Sequence, residues 1–332
     1  MKKEGKIMKE NLEYRVGALL YIPALNKTAA DKIIQHKFDR LTSCCFCLED
    51  SIQDNALEMA EDMLLNTLIK IQNGMDEEEL PNIFIRVRNP EHLYHIHKKF
   101  ESVHKVITGY NLPKFDLGNA EDYVSVICHG INNKKATKTF YVMPILESRM
   151  IADICTRAGT LQKLKEIIDT ISEYVLNIRL GGNDFSNLYG VRRNVNQTIY
   201  DIGVIRDIIT DIINVFSFDY VVSGPVWEYF KRNDYDDAWK IGLKRECELD
   251  RVNCIIGKTA IHPSQLPIIY DSLMVTKEDY DDACKILNWQ NADFAVEKGT
   301  SARMNEVKCH RKWAKKIKAL GDIYGVKSEL EA

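Results

Sequence analysis

The sequence predicts an α/β protein built as a (β/α)8 TIM barrel with a helical C-terminal extension. Two observations carry that prediction. Short apolar, β-branched runs alternate with helical stretches about eight times over roughly 250 residues, the length and rhythm of such a barrel. The runs are then closed, again and again, by charged residues or by glycine and proline, as happens where buried strands open into a mouth. A doubly wound open sheet is the competing topology. It is disfavoured because no G-x-G-x-x-G follows the first run and no Walker motif occurs anywhere.

In order, strands are predicted over 18–24, 44–48, 83–88, 106–112, 140–146, 175–180, 220–222 and 254–256. The first stops at Pro23, and Thr28 is positioned to cap a helix carrying Ala29, Ile33, Ile34 and Phe38 at helical spacing. A long helix covers 54–72, a short one 92–100, and further helices 120–128, 160–172, 201–215 and 234–250. In the helix over 160–172, Leu161, Leu164, Ile167, Ile168 and Ile171 share one face. The loop over 186–198 is long and polar and carries Arg192 and Arg193. Two more helices, about 277–289 and 305–322, form the extension. The expected organisation is an N-terminal arm over 1–15, a barrel over 16–275 and the extension over 276–332.

With 332 residues, 45% apolar and 28% charged, the chain has ample core for a globular protein. A formal net charge of -3 gives no reason to expect nucleic acid as a partner. No apolar run approaches the ~18 residues that a membrane span needs. The charged N-terminus lacks the apolar core of a signal peptide, so a cytoplasmic protein is expected. Nine cysteines, mostly in apolar runs, read as reduced thiols. Cys44 and Cys47 form a C-x-x-C with no second pair, which reads as buried structural cysteine rather than a zinc site.

The strand ends hold the chemistry. They carry Glu49 and Asp50, Arg86 and Arg88, Lys114, Glu147, Asp184, and Lys258 with His262. Charges next to buried strands are costly unless paired, metal-bound or open to a cleft, and in a barrel all would ring one mouth. Glu147 and Asp184, on consecutive strand ends, form the natural cation pair. Two hard carboxylates with no adjacent histidine suit Mg2+, completed by water and substrate oxygens. Alternatively each pairs with an arginine (Arg149, Arg192) or caps a helix. The paired glycines of Arg179-Leu180-Gly181-Gly182-Asn183-Asp184-Phe185 permit a tight turn and close approach to a ligand. Arg86 has the planar fork to hold a carboxylate or developing oxyanion, or to bridge Glu49 or Asp50 at the rim. Arg88 would share its strand face. His92, His95 and His97, with no acid or cysteine partner nearby, read as a surface helix. His262, before Pro263, orients a loop.

These strand ends have a family likeness. Leu48-Glu49-Asp50-Ser51-Ile52, Ile85-Arg86-Val87, Leu112-Pro113-Lys114, Ile145-Leu146-Glu147-Ser148, Gly181-x-x-Asp184 and Ile261-His262-Pro263-Ser264-Gln265 resemble, in that order, the HpcH/HpaI aldolase and citrate lyase beta-subunit superfamily. The likeness runs from about residue 18 to about 290. It implies a TIM barrel, assembled as a homotrimer or hexamer, that performs carbon–carbon bond lyase chemistry with Mg2+ (or Mn2+) at the mouth. By the same likeness Glu147 and Asp184 are the metal ligands, Arg86 contacts the substrate, and Glu49 and Asp50 orient the metal's waters. The tail from Arg303 to Ala314 looks like a bacterial subgroup of TIM-barrel C–C bond lyases. Glu306 there is the candidate for the C-terminal acid that reaches the active site in acyl-CoA-cleaving relatives. Two departures near the first strand, at Gly17 and Ala24, bear on whether a CoA thioester is the substrate.

The expected activity is aldol- or Claisen-type cleavage, or condensation, of a small hydroxy or keto acid or its acyl-CoA thioester. Lys114, Lys258 and Arg192 are further substrate-binding candidates, the last two for a phosphate or CoA tail or else as solvated charges. The alternative is a barrel with weak or lost activity that acts as a partner protein in a biosynthetic or stress-response system. Costly charges retained in the mouth argue against it.

Overall fold

A computed structural model of the chain describes residues 11–134, 136, 138–232, 237–290, 293–300 and 303–327. Residues 1–10 of the expected arm over 1–15, the helix start at 234–236 and the end of the tail past 327 lie outside these residues; the end of the arm is not loose but a short helix, Leu12–Arg15.

Eight strands follow one another around a closed, all-parallel barrel: β1 (Ala18–Pro23), β2 (Ser43–Cys47), β3 (Asn82–Arg86), β4 (Ile107–Leu112), β5 (Tyr141–Leu146), β6 (Asn177–Leu180), β7 (Val221–Gly224) and β8 (Ile255–Ala260). Pairing of Ala18 with Lys258 and of Leu20 with Ala260 closes the ring. Register fixes what shares a level. Cys47, Arg86 and Asn111 are lateral partners across β2, β3 and β4. Ile145, Arg179 and Ser223 are partners across β5, β6 and β7.

Helices bury the outer faces of these strands at helical spacing. Gly203–Phe216 turns Ile205, Ile208, Ile209, Ile212 and Phe216 inward, and Leu57–Gly74 does the same with Ala60, Leu64, Leu68 and Ile71. Each such large side chain contributes about 1.5–3 kcal/mol through burial.

Several local expectations change. Thr28 does not cap through its side chain; its hydroxyl donates to Asn26 Oδ1 at 3.1 Å, and the helix Ala29–Ile34 ends before Phe38. The helix expected from 160 begins at Ile154, where the Asp153 carboxylate accepts from the Cys155 N–H at 2.9 Å. The start of the expected loop over 186–198 is helical, within Gly182–Leu188. Strand β8 continues through Gly257 to Ala260, which changes the place of Lys258.

The His92 helix, Pro90–Lys99, is also not a plain surface helix. Glu61 is the acid partner that the sequence hid: its carboxylate lies 3.1 Å from both His92 Nε2 and His95 Nε2 and takes Lys99 Nζ at 2.9 Å. His97 sits 3.0 Å from the Tyr110 hydroxyl and stacks on His104 with centroids 4.1 Å apart. Burial first, then the His104 charge, pushes His97 down to about 4. His92 and His104 are pushed down as well, by burial first. A folded state that holds histidines neutral binds fewer protons than the unfolded chain. Stability from these rings is therefore full above the unfolded value near 6.5 and is lost as pH falls toward 4. Denaturant titrations between pH 7 and 4 are expected to show declining stability, and His97→Phe should flatten that slope.

The chain divides into two compact units, Val16–Ile269 and Met1–Arg15 with Tyr270–Ala332. Residues 270–275 thus group with the tail. In that second unit Lys277–Leu287 packs on Val307–Tyr324, and Val326 pairs with Val275 in a parallel bridge. Asp282 organises its loop, accepting from Thr300 N at 2.9 Å and from Arg303 Nε at 2.7 Å. Among the described residues no helix is long and apolar enough to cross a membrane.

Candidate active site at the barrel mouth

The carboxyl ends of the strands enclose a cavity of about 390 Å³. Asp50, Arg86, Glu147 and Asp184 of the expected set line it, as do Tyr21 and Arg179, which sequence reasoning did not single out.

Glu147 follows β5 directly and is buried, 6% exposed. Asp184 lies in the first turn of the helix Gly182–Leu188, which starts two residues after β6. The two carboxyl groups adjoin closely enough for each to act on the other's proton. Burial, and next the Asp184 charge, pushes the Glu147 carboxyl up to about 8. Two adjoining carboxylates, one of them buried, repel unless a proton or a cation lies between them. Gly181 makes this approach feasible, because a Cβ there would overlap Glu147 Oε2. Lys114 adopts a left-handed backbone conformation, φ 49°, and its N–H donates to Glu147 Oε1 at 2.7 Å. That conformation costs on the order of 1 kcal/mol, which a buried hydrogen bond offsets.

Two adjoining carboxyl groups are chemically suited to a hard divalent ion. Among the described residues no group of three or more His, Cys, Asp or Glu is placed to hold a metal by itself. Two carboxylates leave most of a six-coordinate sphere for water and substrate oxygens, the arrangement Mg2+ favours.

Opposite this pair lies an ion network. Arg86 Nη1 is 3.1 Å from Glu49 Oε2 and 3.2 Å from Asp50 Oδ2. Its Nε and Nη2 donate to Cys47 Sγ at 3.3 and 3.1 Å, and its guanidinium carbon lies 5.1 Å from the Tyr21 ring centroid. Lys114 Nζ bonds Glu49 and sits 3.1 Å from Asp50. Burial pushes the Glu49 carboxyl up, against the pull of Arg86. Burial pushes Asp50 up too, but its hydrogen bond with Glu49 and the Arg86 and Lys114 charges outweigh it and hold it below the usual carboxylate range. Asp50 is thus an ionised group facing the cavity.

Within the barrel unit, the structure does not bring Lys258, Arg192, Arg88 or His262 to this cavity. Lys258 lies within β8, and its side chain turns outward to the helix Ala238–Val252. There it is fully enclosed, with Nζ 2.7 Å from Asp250 and 3.0 Å from Glu246. Arg192 is exposed and pairs with Glu228 at 3.3 Å. Arg88 lies past the end of β3 instead of sharing the Arg86 face; it bonds Asp54 and donates to the Leu48 and Ile52 carbonyls, so it holds the loop after β2. Glu306 ends the strand Met304–Glu306 in the second unit, where Oε1 accepts from Cys309 Sγ at 3.3 Å. His262 accepts from the Ser264 N–H and closes a capping box with Gln265, orienting the loop after β8.

Three residues were missed. Tyr21, Asn111 and Arg179 point inward from β1, β4 and β6, and Asn111 Nδ2 donates to the Tyr21 hydroxyl at 2.8 Å. The available signal was polarity: an asparagine, a tyrosine and an arginine inside otherwise apolar strands.

A closed parallel barrel, with two carboxyl groups after consecutive strands and an arginine held in an ion network at the same mouth, makes this a TIM-barrel protein. The chain belongs to the family of C–C bond lyases of the TIM-barrel fold, which it matches over residues 10–326. The expected lyase family and barrel are thereby borne out. A citrate lyase from Burkholderia xenovorans LB400 superposes with a TM-score of 0.70 at 13% identity, covering 95% of this chain and 94% of its own. The CitE protein of Mycobacterium tuberculosis in complex with magnesium, acetoacetate and coenzyme A gives 0.58 at 15% identity, covering 93% and 99%. The citrate lyase beta subunit of M. tuberculosis with oxaloacetate and magnesium gives 0.50 at 16%, covering 79% and 98%. At such identities these structures establish the shared fold. No curated protein matches the chain in sequence.

Proposed function

We propose that the protein is a Mg2+-dependent lyase that cleaves or forms a carbon–carbon bond in a small hydroxy or keto acid, or its acyl-CoA thioester. The observation that carries this reading is the Glu147–Asp184 pair: two adjoining carboxylates, one pushed up to about 8, inside a lyase-family barrel. Glu147 and Asp184 would hold Mg2+, with Mn2+ a chemical substitute. When bound, the ion supplies Lewis acidity and a template for a substrate carboxylate and its neighbouring oxygen.

The chain's own residues account for the rest. In cleavage the substrate hydroxyl loses its proton, the adjacent carbon–carbon bond breaks, and its electron pair becomes an enolate that then takes up a proton. Asp50, ionised and facing the cavity, is placed to accept the first proton. Arg86, fixed by Cys47, Glu49 and Asp50, keeps its charge at the rim, where it contacts the substrate and stabilises the oxyanion. Glu49 and Lys114 hold that arrangement rigid. The final proton comes from water or from Glu306, whose reach to a mouth, its own or a neighbour's, is part of the proposal. Since Lys258 is buried in ion pairs and Arg192 is engaged by Glu228, neither supports a CoA tail. We propose that the protein assembles as a homotrimer or hexamer.

The test is product analysis with Mg2+ over a panel of hydroxy acids and their CoA thioesters. Release of pyruvate, glyoxylate, oxaloacetate or acetyl-CoA from one of them is expected. Turnover of none would favour a partner-protein role.

A further inference from the structure

Arg179 is the cavity-lining cation that the proposed chemistry does not use. It is 1% exposed, on β6, and lines the same cavity as Glu147 and Asp184. Its contacts are neutral: Nη1 donates to Ser223 Oγ at 3.2 Å and Nη2 to Thr259 Oγ1 at 2.6 Å, and the Tyr21 phenol lies close by. Nε has no partner, and among the described residues no carboxylate pairs with this guanidinium. Arg86 and Lys114, by contrast, are already matched by Glu49 and Asp50.

A guanidinium does not shed its charge in a protein, so burial without an anion is a standing cost. The neighbouring groups cannot supply the anion. Burial pushes the Tyr21 hydroxyl and the Cys45 thiol upward, so both stay protonated. The missing charge has to arrive with a ligand.

We infer that Arg179 is a carboxylate receptor in the depth of the cavity, so that the substrate is a small dicarboxylate with its second carboxylate on Arg179. The inference rests on the reading of Glu147 and Asp184 as the seat for the first. Arg179 lies two residues before Gly181, and its β5 partner Ile145 lies two before Glu147. That is ~7 Å of strand rise below the carboxylate pair. A four- or five-carbon chain spans that depth together with the arginine's own reach. The Ser223 and Thr259 hydroxyls hold the fork without neutralising it, and Nε remains open.

The test compares acids that share a 2-hydroxycarboxylate head and differ in the second carboxylate. Malate and 2-hydroxyglutarate are set against lactate, each titrated calorimetrically with and without Mg2+ into wild type, Arg179→Gln and Arg179→Lys. Mg2+ alone is titrated into each protein as well. Wild type should prefer a diacid to lactate by on the order of 10- to 100-fold, the worth of one charge-assisted bond pair. Arg179→Gln should lose that preference while binding lactate and Mg2+ unchanged. Arg179→Lys, which keeps charge but not fork, should retain part of it. Without ligand, Arg179→Gln should melt no lower than wild type, because an uncompensated charge has gone. The inference is overturned by a wild type without diacid preference, by an equal fall for malate and lactate, or by a destabilised Arg179→Gln whose preference persists. Absence of Mg2+ binding in every protein would sink the metal reading and the placement of the first carboxylate with it, while the diacid comparison without Mg2+ still decides whether Arg179 receives a carboxylate.

Discussion

Replacing Glu147 or Asp184 by alanine is expected to lower Mg2+-dependent cleavage by on the order of 10³-fold or more. Loss of one of two protein ligands removes the ion's seat, and Lewis-acid stabilisation is worth several kcal/mol of barrier at ~1.4 kcal/mol per tenfold in rate. The stability change should run the other way. Burial and the Asp184 charge both work against ionised Glu147. Glu147→Gln keeps the shape and removes the repulsion, so the metal-free variant should melt higher than metal-free wild type at pH 8. Addition of Mg2+ should raise the melting temperature of wild type and leave Glu147→Gln where it was. Paired thermal melts and steady-state rates check both halves; full activity in either alanine variant would refute the ligand assignment.

The second large effect is expected at Arg86. Arg86→Met should abolish most activity, by roughly 10²- to 10³-fold, because the group that meets developing negative charge is gone. It should also destabilise the fold by about 3 kcal/mol. Glu49, only 8% exposed, would keep Lys114 as its sole cation, and Cys47 would lose two donors. Arg86→Lys restores the charge but not the three-way fork to Cys47, Glu49 and Asp50. It is expected to recover stability more fully than kcat. Chemical denaturation alongside kcat and KM separates the two losses; an Arg86→Met variant with normal kcat would remove Arg86 from the chemistry.

The barrel and most of its mouth were legible in the sequence for one physical reason. A strand buried on both faces must be apolar throughout, so the first charged residue after it marks where the strand surfaces. Glu49, Glu147 and Asp184 announced themselves in that way. Lys258 misled for the complementary reason. In sequence the eighth apolar run ends before Gly257, yet that glycine adopts φ 73° against the Gly17 backbone, beside a shift in the β7–β8 register, and the strand continues. Side chains alternate along a strand, so Thr259 faces the cavity and Lys258 the helices. Arg179 was hidden inside an apolar run, where the alternation that turns it inward cannot be read. Glu61 could not be joined to His92 and His95 because the contact spans two helices 31 residues apart in sequence.

The central claim is that Glu147 and Asp184 together seat one divalent cation in each barrel. Calorimetric titration of Mg2+ into metal-stripped wild type and Asp184→Ala tests it most directly. One saturable site per chain in wild type, lost in Asp184→Ala, is the predicted result; no site in wild type, or an equal site in the variant, would contradict it.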